Sequence, residues 1–388
     1  MNRALNFIVI SPHYPENFQA FATALKANGA NVLGIADEPY ENLSMRTREA
    51  LTEYYRVDSM EDYQQMYQAV AYFAHHYGKI DRIESHNEYW METDARLRTD
   101  FNVEGFKAKD MDRIKQKSKM KEIFRSIGVP VAAGQVFNDW DDAKQLVAEI
   151  GYPVIVKPNI GVGASDTWRI TSDEELSSFF VERNTAASFI MEEFIDGDIV
   201  TFDGLTDHEG RIVFYQQMLY DKPALDIISQ NMDSFVQYPK DIPADIVEMG
   251  RLCVEAFDIR ERFFHFEFFR LKNDHSLVAL EINCRPPGGP MVEMFNFGNS
   301  IDIYDQYAKV VIHQTFTADL SQRKNCAYVS RKSYNNYLHS QDDIYAWYGQ
   351  FIVSSVLSEG VFGDVGYFIV ADDIEDMTRV VRFIQELA

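Results

Sequence analysis

The chain has 388 residues, enough at roughly 100–200 residues per domain for two to four domains and a substantial buried core. Hydrophobic residues make up 46% and charged residues 25%, ordinary globular usage that excludes a disordered, collagen-like or coiled-coil chain. With 60 acids against 37 bases the formal charge is −23, so nonspecific binding to nucleic acid or an anionic membrane is disfavoured and any phosphate has to be met by local cations. The opening apolar run ends at Ser11, Pro12 and His13, too soon for an export signal or a membrane span. Cys253, Cys284 and Cys326 are widely spaced and form no Cys-x-x-Cys pair, which indicates neither disulfides nor zinc and makes the cytoplasm the expected compartment.

In chain order, Phe7 to Ile10 reads as a strand, Phe18 to Lys26 as a helix stopped by Asn28-Gly29, and Val32 to Ile35 as a second strand. A helix near Tyr63 to His76 and the run Ile80 to Ile83 continue the alternation, so residues 1–108 are expected to form a Rossmann-like domain. Its strand-end loops, Ser11 to Asn17 and Ser85 to Glu88, lie where open parallel sheets present ligand contacts. A lysine-rich helix from Asp110 to Gly128 connects to helices near Asp141 to Ile150 and Asp173 to Arg183, and to strands Val154 to Val156 and Phe189 to Glu192. After Gly197 consecutive strands are expected, with a hairpin turn at Asp207 to Gly210 and later strands Phe263 to Phe269 and Leu277 to Ile282. Residues from about Asn325 onward mix both periodicities and read as a small closing subdomain.

Three segments carry chemistry. In the first, the strand Val154-Ile155-Val156 delivers Lys157, and Gly161-Val162-Gly163-Ala164-Ser165 follows: a cation for phosphate oxygens and small residues that let backbone N–H groups approach them. The lysine precedes the glycines, so this is no Walker A loop; a buried salt bridge beside a turn is the plainer alternative. In the second, Glu267 lies within an aromatic strand that also holds His265, while Glu281, Asn283 and Arg285 project from one face of the next strand at i, i+2 spacing. Two carboxylates and an amide oxygen are hard ligands suited to magnesium, against the alternative of acids that simply face water. The third, Glu192-Glu193-Phe194-Ile195 before Gly197, can offer alternating backbone groups and apolar contact to a flat heterocycle.

In this order and spacing the three segments resemble the ATP-grasp superfamily, from about Met111 to beyond Arg285. The likeness is to carboxylate–amine ligases and to the ATP-grasp domains of biotin carboxylase and the carbamoyl-phosphate synthase large chain. It implies a mixed α/β and α+β fold: a Rossmann-like domain, a two-part ATP-grasp unit divided into 109–190 and 191–312, and a small C-terminal part, 313–388. It also implies that ATP is held by Lys117, Lys157, Gly161, Gly163, Ala164, Ser165, and Glu192 to Ile195 (Glu192, Glu193, Phe194, Ile195). Lys115 and Lys119 compete with Lys117 for the alignment, and the family's ribose-holding acid falls at Ile199, with Asp198 immediately before it as the substitute. Glu267, Glu281 and Asn283 match the family's magnesium ligands, for two ions that manganese can replace, and Arg285 together with Lys157 matches the residues that stabilise the transferring phosphoryl group.

The reaction implied is ATP-dependent joining of a small-molecule carboxylate to an amine through an acyl phosphate, with ADP and phosphate released, in an enzyme that binds neither nucleic acid nor membrane and for which a homodimer is the family expectation. A biotin-carboxylase-like activity is the alternative, though Pro286-Pro287-Gly288-Gly289 follows Arg285 where that family continues Gln-Val-Glu-His. A silent nucleotide-binding subunit is a further one, motivated by Ile199.

Overall fold

A computed structural model describes residues 3–161, 166–221, 233, 235–357 and 363–388. Gly163, Ala164 and Ser165, three of the expected nucleotide contacts, lie outside the described residues. The N-terminal strands Asn6–Ile10, Asn31–Ala36, Glu53–Arg56 and Arg82–Glu84 form a parallel sheet in the spatial order third, second, first, fourth. Phe7 to Ile10 are all buried, as expected of a central parallel strand covered on both faces. Helices Gln19–Ala27 and Tyr63–Tyr77 follow the expected spacing, and Asp62 caps the second through its side chain. The strand Glu53–Arg56 is an addition to the sequence reading: its residues are only half covered at the sheet edge, so it lacks the apolar run that marked its neighbours.

A second, antiparallel sheet has the order Gly134–Phe137, Phe189–Glu193, Val154–Pro158, Trp168–Ile170. Helices Trp140–Ile150 and Asp173–Glu182, capped by Asp139 and Ser172, bury Leu146, Val147, Leu176 and Phe179 against it. The strand Phe189–Glu193 pairs here along its whole length, so the expected division at 190 falls inside a strand, and the chain leaves this sheet only after Glu193.

The third sheet has nine strands among the described residues. Leu277–Asn283, Phe263–Leu271 and Gly197–Thr206 form one end, with Ile212–Gln216 hairpinned onto the last. The hairpin forms at the expected turn, where the Asp207 side chain accepts from the N–H groups of Glu209 and Arg211. Leu219–Tyr220, Phe235–Tyr238, Asn325–Arg331, Val365–Ala371 and Ile352–Leu357 complete it, so strands after residue 313 continue this sheet.

The expected uninterrupted run of strands after Gly197 is broken by helices Ala244–Ala256, Met291–Asn299 and Ile303–His313. The first buries Ile246, Gly250, Cys253 and Val254, a helical spacing. Gly250 is required there, because a Cβ would stand 2.1 Å from Cδ1 of Phe202 beneath it. Phe264, Phe266 and Phe268 point into this core, which leaves His265, Glu267 and Phe269 on the opposite face of their strand.

Candidate active site

The cavity between the antiparallel sheet and that opposite face has a volume of about 370 Å³. Lys157, at the end of its strand, and Glu192 to Ile195 line it from one side; Ile199, His265, Glu267, Phe269, Glu281, Asn283 and Arg285 line it from the other. Lys117, Met218, Tyr220, Pro287, Gly288 and Met291 also line it.

Lys117 is delivered by a break in the connector. The single helix expected from Asp110 to Gly128 is two, Met111–Lys115 and Lys117–Ser126, separated by Gln116 in an extended conformation. Asn159 causes the restart: its carbonyl accepts the Lys117 N–H at 2.8 Å and its side chain the Ser118 N–H at 2.9 Å. Lys117 Nζ then donates to the Gly161 carbonyl at 3.0 Å and lies 3.5 Å from Glu281. Lys115 instead meets Glu88 and Glu92, and Lys119 the exposed Glu122, so Lys117 is the connector lysine that faces the cavity.

Lys157 stands 3.2 Å from Glu192, whose other oxygen lies 3.1 Å from Lys121. Burial works against the charged form of Glu192, yet Lys157 and Lys121 outweigh it and hold the carboxyl below its ordinary range. For Lys157, burial is likewise overcome by Glu192, Glu281 and Glu267, which keep the ammonium charged. Lys121 is a participant that the sequence reading missed; it lies four residues after Lys117, beneath the cavity wall.

Antiparallel register sets Glu267 directly opposite Glu281 and His265 opposite Asn283. The side-chain oxygens of Glu267, Glu281 and Asn283 suit a magnesium ion: hard donors on one sheet face, with cations close enough to offset the charge. Among the described residues no group of three or more His, Cys, Asp or Glu is gathered as a metal site, so Glu267, Glu281 and the Asn283 amide would need water and phosphate oxygens to complete a shell, the habit of magnesium. Glu267 is held below its ordinary pKa, because His265, Lys157 and Arg285 together overcome its burial.

His265 bridges Asp203 and Glu267. Burial disfavours its charged form, but the two carboxylates outweigh that and lift it to about 10. Arg285 lines the cavity, donates to the Pro286 carbonyl at 2.8 Å and lies 3.4 Å from Glu88, so the N-terminal loop Ser85 to Glu88 does reach the site. Asn17 of the other expected loop donates to the Gly289 carbonyl at 3.1 Å.

Glu192, Glu193, Phe194 and Ile195, the expected hinge, line the cavity. The Glu193 N–H donates to Ala133 at 2.8 Å, so a donor contact to a ligand from that residue would have to displace this bond. Phe194 carries the Arg169 guanidinium 4.4 Å over its ring, and Ile195 lines the cavity. Asp198 is not brought to the site: it is exposed, and alternation along the strand turns Ile199 inward in its place.

A cleft between two antiparallel sheets, with Lys157 on one wall and Glu267 and Glu281 on the other, fits the ATP-grasp fold that the sequence motifs resemble. Residues 112–238 match the family described as carbamoyl-phosphate synthase L chain, ATP binding domain. The chain is 25% identical over 246 residues to the L-arginine-specific L-amino acid ligase of Bacillus subtilis, a match covering 61% of this chain and 59% of the relative. It is 23% identical over 238 residues to the carbamoyl phosphate synthase large chain of Agathobacter rectalis, over 58% of this chain and 21% of that protein. It therefore spans less than two thirds of the length of either. The solved structure of an L-amino acid ligase from Bacillus licheniformis shares the fold across 100% of this chain and 98% of its own, with a TM-score of 0.75 at 15% identity.

Proposed function

We propose that the protein is an ATP-dependent carboxylate–amine ligase that uses magnesium. The observation that carries this reading is the convergence, in one cleft, of Lys117, Lys157 and Arg285 with the opposed carboxylates Glu267 and Glu281. Such an array suits a reaction in which negative charge is redistributed over phosphoryl oxygens and no side-chain nucleophile is needed. An oxygen of the substrate carboxylate attacks the γ-phosphorus of ATP, ADP departs, and an acyl phosphate forms. The amine nitrogen then attacks the acyl carbon, phosphate leaves, and the amine gives up a proton.

Lys157 and Lys117 would hold phosphate oxygens from the hinge side, and Arg285, anchored by Glu88, would hold the phosphoryl group being passed on. Glu193 to Ile195 with Phe269 offer the flat apolar walls an adenine ring needs. Glu267, Glu281 and Asn283 would hold magnesium, which supplies Lewis-acid neutralisation of phosphate charge when bound. Tyr220, whose phenol burial keeps protonated, and Met218 and Met291 add largely apolar lining that suits a side chain of the substrate.

The test is ADP and phosphate release from the purified chain with magnesium-ATP and pooled amino acids, small carboxylates and amines. Release is expected only when a carboxylate and an amine are both present, and Glu281→Gln should lower it by roughly 100-fold or more. Release that needs bicarbonate and biotin would replace the ligase by a carboxylase. No release across the pools together with tight nucleotide binding would favour a silent binding subunit.

A further inference from the structure

Asp203 lies at the middle of the strand Gly197–Thr206, wholly buried, and no step of the proposed reaction uses it. A buried carboxylate without a task is costly unless its oxygens are engaged, and here both are. One oxygen accepts the Thr201 hydroxyl at 2.6 Å, and that hydroxyl in turn accepts the Met218 N–H at 2.9 Å. The other meets Nδ1 of His265, which stands directly opposite Asp203 across the strand pair. Nε2 of His265 meets Oε1 of Glu267 at 3.0 Å. The four side chains thus form one line from a backbone amide at Met218 to the cavity.

We propose that Asp203 and His265 are positioning residues that fix the rotamer of Glu267, so that one of its oxygens is tied back and the other is presented for magnesium. Both ring nitrogens of His265 are committed to carboxylate oxygens, which leaves it placed to hold a ligand and not to abstract a proton. Thr201 belongs to the same line, because its hydroxyl sets the orientation of Asp203. The strands supply the remaining rigidity: Glu267 pairs with Thr201 on one side and Glu281 on the other. Outer partners of this kind commonly change metal affinity by roughly 10–100-fold when removed.

This inference rests on the ligase reading only in taking Glu267 as a magnesium ligand. It is tested by calorimetric ADP binding to the full chain, with magnesium and again in EDTA, for wild type, Asp203→Asn, His265→Leu and His265→Gln. The expected result is a roughly 10–100-fold weaker magnesium-ADP complex in Asp203→Asn and His265→Leu, metal-free ADP affinity within about twofold of wild type, and recovery in His265→Gln, whose amide N–H can still reach Glu267. If burial prevents His265→Leu from folding, Thr201→Val, nearly isosteric, should move the magnesium-dependent affinity in the same direction by a smaller factor. Equal loss with and without magnesium, or no loss in folded Asp203→Asn and Thr201→Val, overturns the proposal. Wild type that binds ADP equally well in EDTA overturns the magnesium assignment beneath it, and wild type that binds no ADP overturns the nucleotide site itself.

Discussion

Lys157 serves two partners, and the two can be separated. Toward the cavity its ammonium lines the wall where the proposed phosphate would bind; toward the interior it is one of the two cations that keep the buried Glu192 ionised. Removing one member of a buried ion pair leaves an uncompensated charge, which costs about 3 kcal/mol or more when no second partner remains. Lys121 does remain, so Lys157→Met should lose less, on the order of 1–2 kcal/mol, in urea unfolding. Adding Glu192→Gln should cost further stability, because it strands the buried ammonium of Lys121, while ATP affinity measured by calorimetry stays at the weakened level of the single variant. A double variant that regains ATP affinity would show that Lys157 acts only through Glu192 and does not hold phosphate.

At the scale of elements, the link between the two lysines of the site is a single short connection. Lys157 is the penultimate residue of a strand that ends at Pro158, and Asn159 then caps the helix that carries Lys117, so one residue sets the spacing between both cations. Asn159→Ala should keep the backbone bond and lose the side-chain one to Ser118, a cap worth about 1 kcal/mol in unfolding free energy. Because Lys117 is displaced with the helix start, the Kd for ATP should rise several-fold; an unchanged Kd with a lowered unfolding midpoint would confine Asn159 to stability. No sequence pattern announces this device. The lysine-rich stretch has one continuous helical spacing, and its break is imposed by a residue about forty positions away. By contrast strand alternation alone groups Glu281 with Asn283 on one face of their strand and separates Glu267 from the core phenylalanines of its own, while Lys157 stood out as a cation near the end of an apolar strand of the other sheet. Asp203 was not legible: its meaning lies in a strand register that brings it opposite His265, and a lone acid in an apolar run reads the same in a turn or a sheet. The helix Ala244–Ala256 was legible in principle from Ile246, Gly250, Cys253 and Val254, and was obscured by the strand-rich segments on either side.

At the scale of the whole molecule, the N-terminal domain is tied to the site by buried charge. Arg262, at the start of the strand that carries His265 and Glu267, pairs with Glu84 of the parallel sheet and donates to the Cys284 carbonyl beside Arg285. Arg98 holds Glu84 from the other side at 3.2 Å, and the two guanidinium groups outweigh burial to hold the Glu84 carboxyl down at about 2. Close by, His86 is enclosed by Phe21 and Tyr307, its ring centre 4.0 Å from that of Phe21. Burial, aided by Arg262 and Arg98 and opposed by Glu84, pushes it down to about 4. Its ordinary value is 6.5, so between pH 6.5 and about 4 the unfolded chain takes up a proton that the folded chain refuses. Stability from this group is therefore intact above pH 6.5 and declines as pH falls, by about 2–3 kcal/mol at pH 4.5. Asp94, pushed up to about 7 by burial, acts in the opposite sense over the same window, so the wild-type curve alone mixes the two. His86→Asn isolates the histidine: Asn tolerates the left-handed backbone at this position, where φ is 56°, and does not titrate. Urea unfolding at pH 7.5 and 4.5 should show the variant losing about 2–3 kcal/mol less than wild type across that interval, whatever its absolute stability. Equal losses would mean that His86 is protonated in the folded chain, and that Glu84 spreads its charge over three cations in the contact between the domains instead of two.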